Sequence, residues 1–301
     1  MRQRMSLCGF VSIVPGSNDS AWTASSMLRE TRQLLRKKAQ QASRQLHLSV
    51  RVPFDLDESR REGMEVPTWI REQILDTMIV AGAGGGWNYR LPIEAYTELA
   101  AGTTCKIVAQ NLDGFSEGGR RSAKVLFGKG DYYSAEMHRA VAARHWEAGA
   151  DGIYIWNQDW IKFAKDDRVD PQSWREIGDP DVLAGLDKHY TVGLSGRGGS
   201  LPVEIAVPGD TVLIRLDVAD DLSSAPQRPK AALRVLVEQL TSLDDVRFEL
   251  NEAHLDAASA TRRYNYADCW LDFPVTDLMR KGGMTSVSLW KSGTHTWMRR
   301  W

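Results

Sequence analysis

Apolar and polar positions along roughly the first two thirds of the chain follow a rhythm in which helices and strands alternate. Short apolar runs, typical of strands buried on both faces, are separated by stretches with apolar residues at helical spacing. Pro15 to Ser20, Pro53 and Pro67 punctuate this rhythm as turns or as first helical residues. The pattern predicts strands at 7–14, 47–52, 77–80, 106–109 and 152–156, and helices at about 20–44, 67–74, 92–99, 133–148 and 182–186.

The clearest unit of the rhythm is the stretch 147–158. Gly149 breaks a helix there, and the apolar run that follows stops at Trp156 and Asn157. Repeats of this kind form parallel strands joined by right-handed crossovers, and ligands bind at the carboxyl ends of those strands. The stretch therefore predicts a parallel sheet and the edge at which a site would lie.

The pattern changes near residues 193–200, where Gly196, Gly198 and Gly199 indicate a linker. Short alternating runs follow at 203–207, 212–216, 233–237, 247–250, 269–273 and 286–290, which favours an antiparallel β-sandwich. We place the domain boundary near 195, so that residues 1–194 form the first domain and 195–301 the second. The tryptophans of this domain could form a sugar-binding platform (Trp270, Trp290, Trp297 and Trp301). Trp270 and Trp290 alternate with their neighbours as core residues do, which favours core packing for these two, whereas Trp297 and Trp301 are expected to be exposed.

Composition excludes two classes of partner. The 301 residues carry 38 basic and 39 acidic side chains, a net charge of -1, which gives no electrostatic footprint for nucleic acid. No apolar run approaches the ~18 residues that a membrane helix needs. A basic cluster on the first helix is expected to be its solvated face (Arg29, Arg32, Arg36, Lys37 and Lys38).

The three cysteines, Cys8, Cys105 and Cys269, are too far apart for a disulfide framework or a zinc motif. They favour a reducing, cytoplasmic compartment. The basic and then apolar start of the chain leaves secretion open, although no small-residue cleavage pattern follows it.

Four segments are similar to the latter half of glycoside-hydrolase-like TIM barrels, mostly of bacterial origin, in which a small β-sandwich follows the barrel. The matching segments are 48–53, 148–157, 176–180 and 186–190. The resemblance implies an α/β chain with a TIM-type (β/α) barrel and a sandwich accessory domain. Such proteins carry further barrel strands and an acidic strand end upstream, and residues 1–20 contain nothing like these. Five predicted strands also fall short of the eight of a closed barrel, so we expect an incomplete barrel.

The predicted strand ends supply the candidate site. Arg51 and Asn157 can hydrogen-bond sugar hydroxyls, and Trp87 or Trp156 can stack on a pyranose ring, although core packing is an equal alternative for Trp156. Asn111 completes the expected substrate-binding set, and the expected partner is a carbohydrate.

Glycoside hydrolysis ordinarily needs two carboxylates, about 5–5.5 Å apart for retention and about 6.5–9.5 Å apart for inversion. No strand end here is acidic. The candidate acids lie on loops further out, where each has the alternative of being simply solvated (Asp55, Asp113, Glu117 and Asp159). The candidate residues therefore favour binding of a sugar over its hydrolysis.

Other chemistries have weaker support. The glycine run 82–86 lacks the third glycine of a dinucleotide loop, since Trp87 stands in its place. His138 and His145 share a helix face without a third ligand, so we expect no metal and no cofactor. Three functions stay open: a glycoside hydrolase-like enzyme, a non-catalytic carbohydrate-binding or scaffolding protein, and an inactive fragment of a longer one.

Overall fold

The computed structural model describes residues 18–81, 91–111, 134–155, 171–192, 203, 211–220, 230–237, 246–265, 268–278 and 284–291. These residues form two compact units, the first ending at Gly185 and the second beginning at Leu186. The predicted strand at 7–14 lies outside the described residues.

The first unit alternates helices and strands as the hydrophobic pattern predicts. Its helices are α1 (Asn18–Ala42), α2 (Leu56–Arg61), α3 (Val66–Arg71), α4 (Ile93–Ala100), α5 (Ala135–Glu147), α6 (Pro171–Glu176) and α7 (Pro180–Leu183). Its strands are β1 (Ser49–Val52), β2 (Thr77–Val80), β3 (Lys106–Asn111) and β4 (Gly152–Ile155). Gly149 takes a positive φ of 85° directly after α5, which confirms its predicted role in ending that helix.

The four strands form one parallel sheet in the order β1-β2-β3-β4. Sequential order without a reversal, together with right-handed crossovers, sends every connection over the same face of the sheet. This confirms the predicted α/β character and the parallel sheet. A closed barrel is not confirmed, because among the described strands β1 and β4 each pair on one side only.

The core of the first unit lies on the face of the sheet that the helices cover. Val52, Met78 and Ala109 contribute the sheet side of this core. Trp69 of α3 and Tyr96 of α4 contribute its bulkiest helical side chains. Apolar residues at every second strand position thus bind the sheet to one helix layer, and the opposite face carries the intervening positions.

Two arginines of the predicted solvated cluster on α1 are instead bound to the rest of the unit. Arg32 forms two hydrogen bonds with the carboxylate of Asp76, at 2.6 and 2.7 Å, and Arg29 pairs with Glu72. The same carboxylate accepts the backbone N–H of Leu48 at 2.7 Å. Burial alone would raise the pKa of Asp76, but the bonds from Arg32 and Leu48 hold that pKa below its usual value.

Replacing Asp76 with asparagine is expected to lower the free energy of unfolding by about 2 kcal/mol, because one charged and one backbone donor lose a carboxylate partner. Urea denaturation measures the loss. Glu72→Gln is the matched control, since its ion pair with Arg29 is exposed, and we expect no measurable change there. Equal effects in the two variants would contradict this account of α1 docking.

The second unit contains two antiparallel sheets. Its strands are β5 (Thr211–Asp217), β6 (Ala232–Val237), β7 (Val246–Leu250), β8 (Ala253–Leu255), β9 (Thr261–Asn265), β10 (Asp268–Pro274) and β11 (Met284–Lys291). One sheet has the order β6-β10-β9 and the other β5-β11-β7-β8. Side chains from both sheets share one core, in which the rings of Phe248 and Phe273 lie 5.2 Å apart.

Trp270 does not belong to that core, so the prediction for this residue is wrong. Its neighbours Cys269 and Leu271 are fully buried, and alternation turns Trp270 to the opposite, outer face of the sheet. Arg234 of β6 lies over the indole ring, 6.0 Å from its centroid. The outcome shows that alternation alone does not say which of the two sets faces inward. The side chains of Trp290, Trp297 and Trp301 lie outside the described residues.

The second unit begins before the predicted boundary because of a buried polar clamp. Asp220, which follows β5, accepts hydrogen bonds from the ammonium group of Lys188 and the hydroxyl group of Tyr190, both at 2.8 Å. The ammonium group also donates to the backbone carbonyl of Leu186. Burial raises the pKa of Tyr190, and the neighbouring Asp220 raises it further. The segment that starts at Leu186 is thus fastened to the sandwich.

Candidate functional site

Three polar side chains meet on the face of the parallel sheet opposite its helices. Arg51 of β1, Gln110 of β3 and Tyr154 of β4 occupy alternate positions to the buried Val52 and Ala109. Gln110 stands directly across from Tyr154 in the ladder, near the carboxyl ends of the strands. The structure thus gathers a polar cluster at the edge where the sequence predicts a site.

Gln110 is the centre of this cluster. Its side-chain oxygen accepts a hydrogen bond of 2.8 Å from Nε of Arg51, which reaches across β2. The residue is only 2% exposed, and within the described residues its Nε2 group has no hydrogen-bond partner. A buried amide donor without a partner is costly, so such groups are uncommon and mark Gln110 as a candidate for binding.

The Arg51 guanidinium is held in a partly desolvated position. Burial lowers its pKa from the ordinary value, and the hydroxyl group of Tyr154 lies close enough to oppose that shift. Arginine stays protonated in proteins despite such shifts, so the cluster keeps a positive charge beside neutral donors and acceptors.

Asn111 lies on the other face of the sheet and is fully buried. Its amide Nδ2 donates to the backbone carbonyl of His138 on α5, and its Oδ1 lies 3.2 Å from Nδ1 of the same histidine. Since Oδ1 can only accept, His138 donates from Nδ1. The predicted substrate-binding side chain is thus turned to the helix layer, and its role in binding stays a prediction.

A second histidine of α5 holds the same strand end. His145 is fully buried and hydrogen-bonds the backbone of Gln110. Burial lowers the pKa of both His138 and His145 to about 4, so both imidazoles are neutral at pH 7. The shared helix face that the sequence predicts is therefore used to fasten α5 to the end of β3.

Of the four candidate acids, Asp55 is the one within the described residues. Its carboxylate accepts the N–H of Glu58 and so caps α2, a short helix where the hydrophobic pattern predicts a loop. The helix was missed because its charged residues show no apolar periodicity. Glu58 of this helix is buried, although it is not among the acids that the sequence predicts for the site.

The remaining candidates fall outside the described residues. They are Trp87, Asp113, Glu117, Trp156, Asn157 and Asp159. The positions of Gln110 and Tyr154 near the strand ends could have been predicted from the sequence. Each lies within two residues of the end of a predicted strand, as Arg51 does. The apolar pattern predicts that the strand ends at residue 109, and Gln110 lies inside β3 because the strand runs two residues further.

Comparison with known proteins adds no assignment. No protein-family model matches the chain, and a search of curated proteins finds no significant match. In the described part of the chain no three histidine, cysteine or acidic side chains are grouped as metal ligands, and no helix is long and apolar enough to span a membrane. What can be derived of the site comes from the cluster itself.

The cluster of Arg51, Gln110 and Tyr154 offers donors, acceptors and an aromatic ring, but no nucleophile. Guanidinium and amide N–H groups can donate to hydroxyl or carboxylate oxygens, and the tyrosine hydroxyl can donate or accept. Its composition suits recognition of a polar ligand more than chemistry on it.

Proposed function

We propose that this protein is a glycoside-hydrolase-like carbohydrate-binding protein whose ligand lies at the carboxyl ends of the parallel strands. The observation that carries the proposal is the buried amide of Gln110, whose oxygen accepts from Arg51 and whose Nε2 group has no hydrogen-bond partner within the described residues. A sugar hydroxyl is a suitable partner because it accepts from the amide and donates to a neighbouring oxygen.

The arrangement of the strands supports the same proposal. Four parallel strands in sequential order, with the crossovers on one face, are the expected geometry of half a TIM-type barrel. The free face of such a sheet corresponds to the interior of a barrel, and the carboxyl ends correspond to its catalytic mouth. We therefore propose an incomplete (β/α) barrel that retains a ligand site at the carboxyl ends of its strands.

Binding is favoured over hydrolysis because Asp55 is already used as the N-cap of α2. A hydrolase would need a pair of carboxylates across the sugar. Asp113, Glu117 and Asp159 remain predictions for that role, and hydrolysis would take place by acid–base cleavage with acids from the loops after the strands.

Thermal unfolding of the full chain with a panel of neutral oligosaccharides tests the proposal. A ligand at about 100 times its Kd adds about 2.7 kcal/mol of stability, which corresponds to a rise in Tm of several degrees. The rise is expected to be lost in Gln110→Glu, which keeps an oxygen for Arg51 but removes the amide donor. Gln41→Leu, on the exposed end of α1, is the control and should keep the full rise.

Two results would contradict the proposal. One is the absence of any glycan-dependent rise in Tm in the unmodified protein. The other is a rise of the same size in Gln110→Glu, which would place the ligand elsewhere on the chain.

A further inference from the structure

We propose that the outer face of the sheet β6-β10-β9 is a second ligand site, one that binds an acidic glycan through Trp270, Arg234 and Arg263 arranged around Asp272. The site belongs to the second unit and shares no residue with the cluster around Gln110. It goes beyond the proposed function, because it adds a different ligand class on a different domain.

The three charged side chains form a fixed array across the sheet. Arg234 of β6 donates from Nε and Nη2 to the two carboxylate oxygens of Asp272, at 2.7 and 3.0 Å. Arg263 of β9 donates to the same carboxylate from the other side, at 2.8 Å. Asp272 therefore holds two guanidinium groups in place, and the pKa of its carboxyl group is lowered chiefly by the hydrogen bond from Arg234.

Trp270 supplies the apolar part of the site. It stands on the same face as Asp272, two residues earlier on β10, and directly across from Arg263 in the ladder. The ring is partly exposed, and Arg234 lies over it. A flat aromatic side chain flanked by polar groups can stack against the C–H face of a pyranose while its neighbours bind the ring substituents.

The charge of the array identifies the ligand class. Within the array itself, two guanidinium groups face the single carboxylate of Asp272, so these three side chains together carry a net positive charge. Arg263 is 54% exposed and uses a single Nη2 group on Asp272, so its Nε and Nη1 have no hydrogen-bond partner in the described part of the chain. Spare guanidinium donors in a planar fork match the two oxygens of a uronate carboxylate.

A glycan fits this face better than a nucleic acid does. The central carboxylate of Asp272 can accept hydrogen bonds from sugar hydroxyl groups, and a DNA backbone offers no hydroxyl donor in their place. A uronic acid polymer carries hydroxyl donors and spaced carboxylates together, which the mixed array can satisfy.

Isothermal titration calorimetry of the full chain with oligogalacturonides tests the proposal, with neutral cello-oligosaccharides and oligo-dT as comparison ligands. Arg263→Gln and Trp270→Ala are each expected to weaken oligogalacturonide binding about tenfold. Arg262→Gln is the matched control. It removes the same charge one residue away, and Arg262 stands across from the buried Leu271 on the other side of the sheet. It should bind as the unmodified chain does.

The affinity should also fall as salt rises from 50 to 500 mM, because charge attraction contributes to it. Near-ultraviolet circular dichroism shows whether Trp270→Ala is folded, and Trp270→Phe, which keeps a ring, should recover part of the affinity.

The proposal is overturned if Arg263→Gln binds as tightly as Arg262→Gln, if cello-oligosaccharides bind equally well, or if oligo-dT is the preferred ligand. Gln110→Glu should leave this binding intact, so a failure here is distinguishable from a failure of the first site.

Discussion

Replacing Asp220 with alanine is expected to destabilise the second unit by roughly 3 kcal/mol, one of the two largest effects that we expect in this protein. The substitution leaves the ammonium group of Lys188, whose side chain is 3% exposed, without its carboxylate. Removing one partner of a buried ion pair costs several kcal/mol, because the other charge stays buried without compensation. The hydroxyl group of Tyr190 loses its acceptor as well.

Hydrogen exchange in urea, followed on peptides from β5 to β10, measures this loss within the second unit. The double variant Lys188→Met with Asp220→Asn is the informative control, since it leaves no buried charge, and it should recover part of the stability. Asp256→Ala, at an exposed turn, should have a much smaller effect. If the double variant is no more stable than Asp220→Ala, the uncompensated ammonium group is not the cause.

The second large effect is a loss of stability in acid, caused by His138 and His145. Burial lowers the pKa of both to about 4, below the ordinary value of 6.5 that they regain on unfolding. The unfolded chain therefore binds more protons between these two values, and stability falls as the pH decreases from about 6.5 towards 4. Each histidine contributes roughly 3 kcal/mol to this loss.

Hydrogen exchange in urea between pH 7.5 and 4.5, followed on peptides from β3 and α5, measures how the stability of the first unit depends on pH. His145→Asn places an amide donor near the Gln110 backbone and removes one titrating group, so the slope should become about half as steep. His254→Gln is the control, since His254 is exposed on β8 and its replacement should leave the slope unchanged. An unchanged slope in His145→Asn would show that other groups govern the acid sensitivity.

The alternation of helices and strands could be predicted, because helices and strands that are buried on a core each require their own spacing of apolar residues. The strand at residues 77–80 and the helix that Gly149 ends lie where the periodicity places them. Short polar elements could not be found in this way. Helix α2 has no apolar stripe and is held by the Asp55 cap, and the clamp around Asp220 joins residues that lie far apart in the sequence.

The candidate site was predictable in position but not in all its members. Arg51 was identified at a strand end, and the structure places it in the polar cluster. The role of Gln110 depends on the length of β3, which runs past its apolar segment, and on a neighbour two strands away. Contacts across strands follow from register, and a single sequence contains no direct signal for register.

The sequence also does not predict which face of a sheet is buried. Trp270 and Leu271 follow the same alternation, and only the packing of the second sheet decides which of them is buried. The cost of burying Asp272 and the two arginines that hold it favours the observed choice, since these charged groups share the face of Trp270. The closed barrel remains beyond what the described strands support.

The most direct test of a carbohydrate site at the parallel strand ends is hydrogen–deuterium exchange with a neutral oligosaccharide that raises the Tm. Peptides that contain Gln110 and Arg51 should become protected on binding, and this protection should disappear in Gln110→Glu. Protection confined to the second unit, with none at β1 and β3, would contradict the account and leave the first unit without its proposed ligand.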